Sequence, residues 1–222
     1  IEQMQAEEEK LERAAFEYIL DNATGITPKV TTDTRHVRGS STALGRLTYS
    51  GVNETDLMEI GFCWSTQPNP TVLDNRSTSF FDLNGRIYRM DGLQPATVYY
   101  VRAYAMTKNY AVGYGDVIKI ITLPKGQCTY WYNWGADADA NKRIDAALAD
   151  GIRYYNDFTS IKGFHVSCSF GSGTPTADCG YGGGMRVGPN ASYQRTGTIL
   201  HEMAHGIGVG THSMWYGYSP LR

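Results

Sequence analysis

Residues 4 to 20 (MQAEEEKLERAAFEYIL) place Leu11, Ala14, Ala15, Tyr18 and Ile19 at three- and four-residue spacing behind an acidic start. That period predicts an amphipathic helix, which Asp21-Asn22-Ala23-Thr24-Gly25 ends. From Lys29 to about Leu123 the pattern changes to short alternating or aromatic segments, cut by turns at Tyr49-Ser50-Gly51, Gln67-Pro68-Asn69-Pro70 and Leu83-Asn84-Gly85. Short strands with such punctuation predict an all-β sandwich. Its clearest strand puts Tyr99, Val101, Ala103 and Ala105 on one face. Tyr99 stands where a tyrosine corner belongs.

After Pro124-Lys125-Gly126 the pattern changes again. Tyr130, Tyr132 and Trp134 alternate with Thr129, Trp131 and Asn133 as in a strand. Residues 138 to 158 carry Ile144, Leu148, Ile152 and Tyr155 along one helical stripe, with Asp137 and Asp139 at the start to cap free N–H groups. Phe164, Val166, Cys168 and Phe170 predict a second strand, and the glycine-rich Gly182 to Val187 a third. A helix around Leu200 closes an α+β order. The division is therefore 1–25 as a terminal helix or spacer, 26–123 as the sandwich and 127–222 as the second domain, two cores being the expectation for 222 residues.

The sandwich segment, with Gly61-Phe62-Cys63-Trp64-Ser65-Thr66, the Tyr99 strand and the closing Gly113-Tyr114-Gly115-Asp116, resembles an immunoglobulin-like fibronectin type III module of the kind common in bacterial surface proteins. The resemblance covers about 95 residues and implies a spacer without catalysis. Trp64 and Cys63 read as core.

Chemistry concentrates in Thr198-Ile199-Leu200-His201-Glu202-Met203-Ala204-His205-Gly206-Ile207-Gly208. Two histidines four residues apart project from one helix face and can reach one metal ion, while Glu202 points to the side where a water on that metal would sit. Leu200, Met203, Ala204 and Ile207 supply an apolar stripe beside them. Three of the chain's five histidines fall within twelve residues, and no Asp or Glu follows Glu202. Gly208 and Gly210 can swing the chain back, which makes His212 the natural third ligand.

This pattern resembles the metzincin clan of zincin-like metallopeptidases, HExxHxxGxxH, at His201, Glu202, His205 and Gly208. The clan's third histidine would fall on Thr211, and His212 comes one residue late. The resemblance implies Zn2+ held by His201, His205 and His212, a protein or peptide substrate, and Glu202 as general base. The clan also has a methionine turn, for which Met214 lies too close to His212, and a C-terminal subdomain, so the 127–222 domain reads as incomplete or minimal. Gly182 to Val187 would form the cleft rim that pairs with substrate. Tyr216 and Tyr218 are weaker oxyanion candidates, and His165 and His36 read as non-ligands. Two alternatives stay open: an inactive zincin-fold adhesion or binding protein, and a zinc amidohydrolase acting on non-protein amides.

Composition narrows this further. Charged residues at 19% beside 41% hydrophobic ones indicate a folded chain. A net charge of −2 and the absence of a basic cluster exclude a nucleic-acid surface. No apolar run approaches the roughly 20 residues of a membrane span. The chain opens at Ile1 without an apolar signal core, as a mature or trimmed form would. The expectation is a secreted or cell-surface hydrolase, attached through an N-terminal anchor outside this sequence. Cys63, Cys128, Cys168 and Cys179 read either as disulfides of an exported protein or as buried thiols. A structural disulfide between Cys168 and Cys179 is favoured, since a loop of about ten residues closes easily, and Cys63 and Cys128 are left unassigned.

Overall fold

The computed structural model describes residues 2–82, 84 and 86–217. The chain divides into two compact units, Ile1–Pro124 and Lys125–Arg222.

The first unit opens with α1 (Glu2–Asp21), followed by β1 (Lys29–Arg38), β2 (Ala43–Ser50), β3 (Leu57–Ser65), β4 (Asn75–Ser77), β5 (Phe80–Asp82), β6 (Ile87–Met90), β7 (Val98–Thr107), β8 (Val112–Tyr114) and β9 (Ile118–Ile121). One sheet runs β1-β2-β6-β5 and the other β4-β3-β7-β8, with β9 also on β7. Phe62, Trp64, Tyr88, Tyr99, Val101 and Ile120 fill the space between them. This is an all-β sandwich. The Tyr99 hydroxyl accepts the Gln94 backbone N–H at 2.9 Å, which makes it a tyrosine corner. Of the expected turn at 83–85, Leu83 and Gly85 lie outside the described residues.

Strand β7 stops alternating after Ala103, because Tyr104 and Met106 on its outer face are also buried. Phe16 and Leu20 of α1 pack against that second cluster together with Val72. Arg13 of the same helix donates to the Leu73 carbonyl at 2.7 Å, and the Arg76 guanidinium lies over the Phe16 ring. Helix α1 is thus docked on the sandwich. The contact runs through half-buried Phe16 and Leu20, whereas Leu11, Ala14, Ala15, Tyr18 and Ile19 of the expected stripe are exposed, so the helix docks by a face turned away from that stripe.

The second unit comprises β10 (Gln127–Tyr132), α2 (Ala138–Phe158), β11 (Lys162–Phe170), β12 (Ala177–Cys179), β13 (Gly184–Val187), α3 (Thr196–Gly206) and α4 (Ser213–Gly217). The Asp137 carboxylate caps α2 by accepting from the Asp139 and Ala140 N–H groups. Strand order is β10-β11-β13-β12, with the first three parallel and β12 antiparallel at the edge. Ile144 and Leu148 of α2 share one core with Ile199 and Met203 of α3 and with Val166, Cys168, Met185 and Val187 of the sheet. The opposite sheet face carries exposed Trp131, His165 and Arg186. Strand β10 ends before Trp134, which is exposed and left-handed at φ 52°, so the expected alternation stops two residues early.

Two expectations are corrected here. All four cysteines are free and buried. Cys168 and Cys179 both register with Met185 from opposite sides, so a strand lies between them. Two strand spacings of about 4.8 Å exceed the roughly 4.4–6.8 Å between Cα atoms that a disulfide spans. The second correction concerns the cleft rim. Gly184–Val187 is an inner strand paired on both sides, and the edge belongs to β12, three residues that the sequence pattern did not reveal.

Candidate metal centre

Helix α3 is fixed from below by α2. At Gly151 an added Cβ would stand 2.7 Å from Ile199 Cγ2 and 3.3 Å from Met203 Sδ, so the helices meet where one has no side chain. Ile199, Glu202, Met203 and Gly206 form the buried face. This is rotated from the expected stripe, since Leu200 and Ala204 are half-buried and Ile207 is exposed.

That rotation turns His201 and His205 outward together. Their Nε2 atoms stand 3.2 Å apart, with the rings near perpendicular at 86°. His205 Nδ1 lies 2.7 Å from the Val209 carbonyl. A carbonyl only accepts, so Nδ1 carries the hydrogen and Nε2 of the neutral ring presents a lone pair. Two nitrogens about 2.05 Å from one tetrahedral zinc lie about 3.3 Å apart. The pair therefore fits a shared ion, and the carbonyl held by His205 is the outer partner that a ligating histidine requires.

The Glu202 side chain, 8% exposed, lies next in sequence to His201. Burial raises its carboxyl above the ordinary range, His201 and His205 pull it down, Asp178 pushes it up and the Cys179 backbone N–H opposes the rise. The carboxyl thus sits between the two histidines and edge strand β12.

Beyond α3 the chain turns back through Gly208 (φ 118°) and Gly210 (φ 70°), conformations suited to glycine. The His212 N–H donates to the Gly208 carbonyl, and the Thr211 hydroxyl, at the clan's third-ligand position, donates to the His205 carbonyl instead. The His212 ring meets Tyr181 edge-on at 4.6 Å, and its Nδ1 accepts the Met214 N–H at 3.1 Å. Among the described residues no third His, Cys, Asp or Glu side chain completes a metal set with the pair. His201, Glu202 and His205 are brought together; His212 follows on the adjoining turn with its ring against Tyr181. Met214 is exposed, and the Tyr216 hydroxyl donates to the Gly210 carbonyl. Tyr218 lies outside the described residues. His165 Nδ1 bonds the Thr129 hydroxyl and His36 Nδ1 the Thr34 carbonyl.

A cleft of about 340 Å3 opens between β12 and α3, lined by Thr176, Tyr193, Arg195 and Thr198, with His201 and Glu202 also on its wall. Sequence reasoning missed it, because its walls come from segments about twenty residues apart. Arg195, six residues before His201, was its one visible signal.

No family model matches the chain, and no curated protein matches it. Solved fibronectin type III domains do. The sixth such domain of human fibronectin type III domain containing protein 3 is 25% identical, covering 45% of this chain and 84% of that one at a TM-score of 0.29. The domain of human contactin 1 is 18% identical over 46% and 81%, at 0.33. A further domain of the human fibronectin type III domain containing protein 3 is 12% identical over 52% and 97%, at 0.33.

Proposed function

We propose that the second unit is a zinc-dependent peptidase, with the metal held by His201 and His205 and with His212 as a third ligand that would have to leave its contacts with Tyr181 and the Met214 N–H to reach it. The observation that carries this reading is the 3.2 Å approach of two Nε2 atoms on one helix, with the Glu202 carboxyl next to them. A bound zinc ion would supply the Lewis acid that polarises a carbonyl and lowers the pKa of water to about 7. The chain's own part is proton transfer and positioning. Glu202, with a carboxyl already raised by its burial, takes the proton from the attacking water and returns it to the leaving amine. Strand β12 lies at the sheet edge, and an extended peptide would add beside it as a further strand, in competition with the Cys179 N–H contact to Glu202. The sandwich is read as a spacer, and the chain as an exported one.

One observation favours a second reading, a binding protein of the same fold: the His212 ring rests on Tyr181 and not with the pair. Metal content and casein cleavage of the wild type beside Glu202→Ala separate the two. Zinc in both proteins with cleavage by the wild type alone is the expected result. Zinc in both with cleavage by neither would reject the peptidase.

A further inference from the structure

The second unit has four described arginines, and three are engaged through their side chains. Arg143 donates to Gln194, Arg153 pairs with Asp150, and Arg186 grips both carboxylate oxygens of Asp178. Arg195 is different. Its side chain is exposed and, among the described residues, has no hydrogen-bond or ion-pair partner. It lines the cleft that reaches His201 and Glu202.

The other polar groups of that lining suit an anion as well. Thr198 and Tyr193 bring hydroxyls able to donate, while the Thr176 hydroxyl is given to the Ala177 carbonyl. Among the described residues Glu202 is the only carboxylate on the wall, and Asp178 nearby is occupied by Arg186. A guanidinium with five donors and no partner, set in a walled cleft, matches a carboxylate better than any apolar or cationic group.

We infer that this cleft receives an acidic side chain of the bound chain, with Arg195 as the residue that selects it. Resting on the peptidase reading, this makes the substrate a polypeptide carrying Asp or Glu beside the scissile bond, since the cleft adjoins Glu202. An anion held there is worth about 10- to 100-fold in affinity, as charged hydrogen bonds in part-shielded sites are.

The test separates selection from turnover. Zinc-treated Glu202→Ala protein, which cannot cleave, is titrated with fluorescein-labelled alanine hexapeptides in which one Asp occupies each position in turn, beside Asn and Lys controls. The expected result is one position where Asp binds at least tenfold tighter than Asn. Adding Arg195→Glu should abolish that preference and favour Lys at the same position. Arg195→Gln, which should abolish it without reversal, guards against misfolding of the first variant, and thermal melts check both. Equal binding of Asp and Asn at every position would overturn the inference, as would a preference that survives both substitutions. Selective binding without zinc uptake or wild-type cleavage would leave Arg195 as the selector and reject the peptidase reading.

Discussion

Tyr181 holds His212 edge to face, with the rings 4.6 Å apart and inclined at 69°. An added Cβ at Gly208 would lie 3.1 Å from His212 Cβ and 3.6 Å from the Tyr181 ring, so the glycine turn brings all three together. If His212 is the third ligand, Tyr181 limits where its imidazole can go. Tyr181→Ala is then expected to weaken zinc binding about tenfold, within the range for outer-shell changes, while Tyr181→Phe keeps it and His212→Ala costs more. Competition against a chelator of known affinity measures all three. Wild-type affinity in His212→Ala would remove His212 from the site.

Gly151 fixes the height of the histidine helix above α2. Gly151→Leu would drive atoms into Ile199 and Met203, and overpacking of this kind costs about 1–3 kcal/mol. Urea unfolding of the second unit should register the loss. Stability unchanged in this variant would mean that the helices can separate without penalty.

The thiols provide a direct check on the core. Burial pushes Cys63 and Cys168 up to about 12 and Cys179 to about 11, so little thiolate exists at pH 8. Native protein should react slowly with a chromogenic disulfide reagent. Protein unfolded in guanidinium without reductant should release four equivalents, and a count of two would restore a disulfide.

In the sandwich, Tyr99→Phe leaves the Gln94 N–H without its phenol partner. A loss of about 1–3 kcal/mol is expected if that group stays shielded. Thermal unfolding of residues 1–124 against the wild type would measure it.

Much of this architecture could be read from periodicity. Ile144, Leu148 and Ile152 announced α2, and Phe164, Val166 and Cys168 announced β11, because each sequence writes one buried face at one period. Strand β12 was invisible for the opposite reason. Three residues are too few to show alternation, and its place at the edge depends on β13, which follows it in the chain. The buried outer face of β7 was hidden because the covering side chains, Phe16 and Leu20, come from α1 far upstream. At the site, the four-residue spacing of His201 and His205 was decisive, since a helix converts it directly into proximity. Arg195 carried no such periodic signal; its part depends on a cleft wall formed in three dimensions.

The edge position of β12 has a consequence beyond substrate capture. Unpaired main-chain groups on a sheet margin attract any extended chain, including a second copy of the same protein, and invite aggregation. Here the margin is three residues long, and its middle residue, Asp178, is charged and tied to Arg186. So short a ladder gives few hydrogen bonds to a partner that lacks further contacts, which favours brief capture of a peptide over lasting self-association.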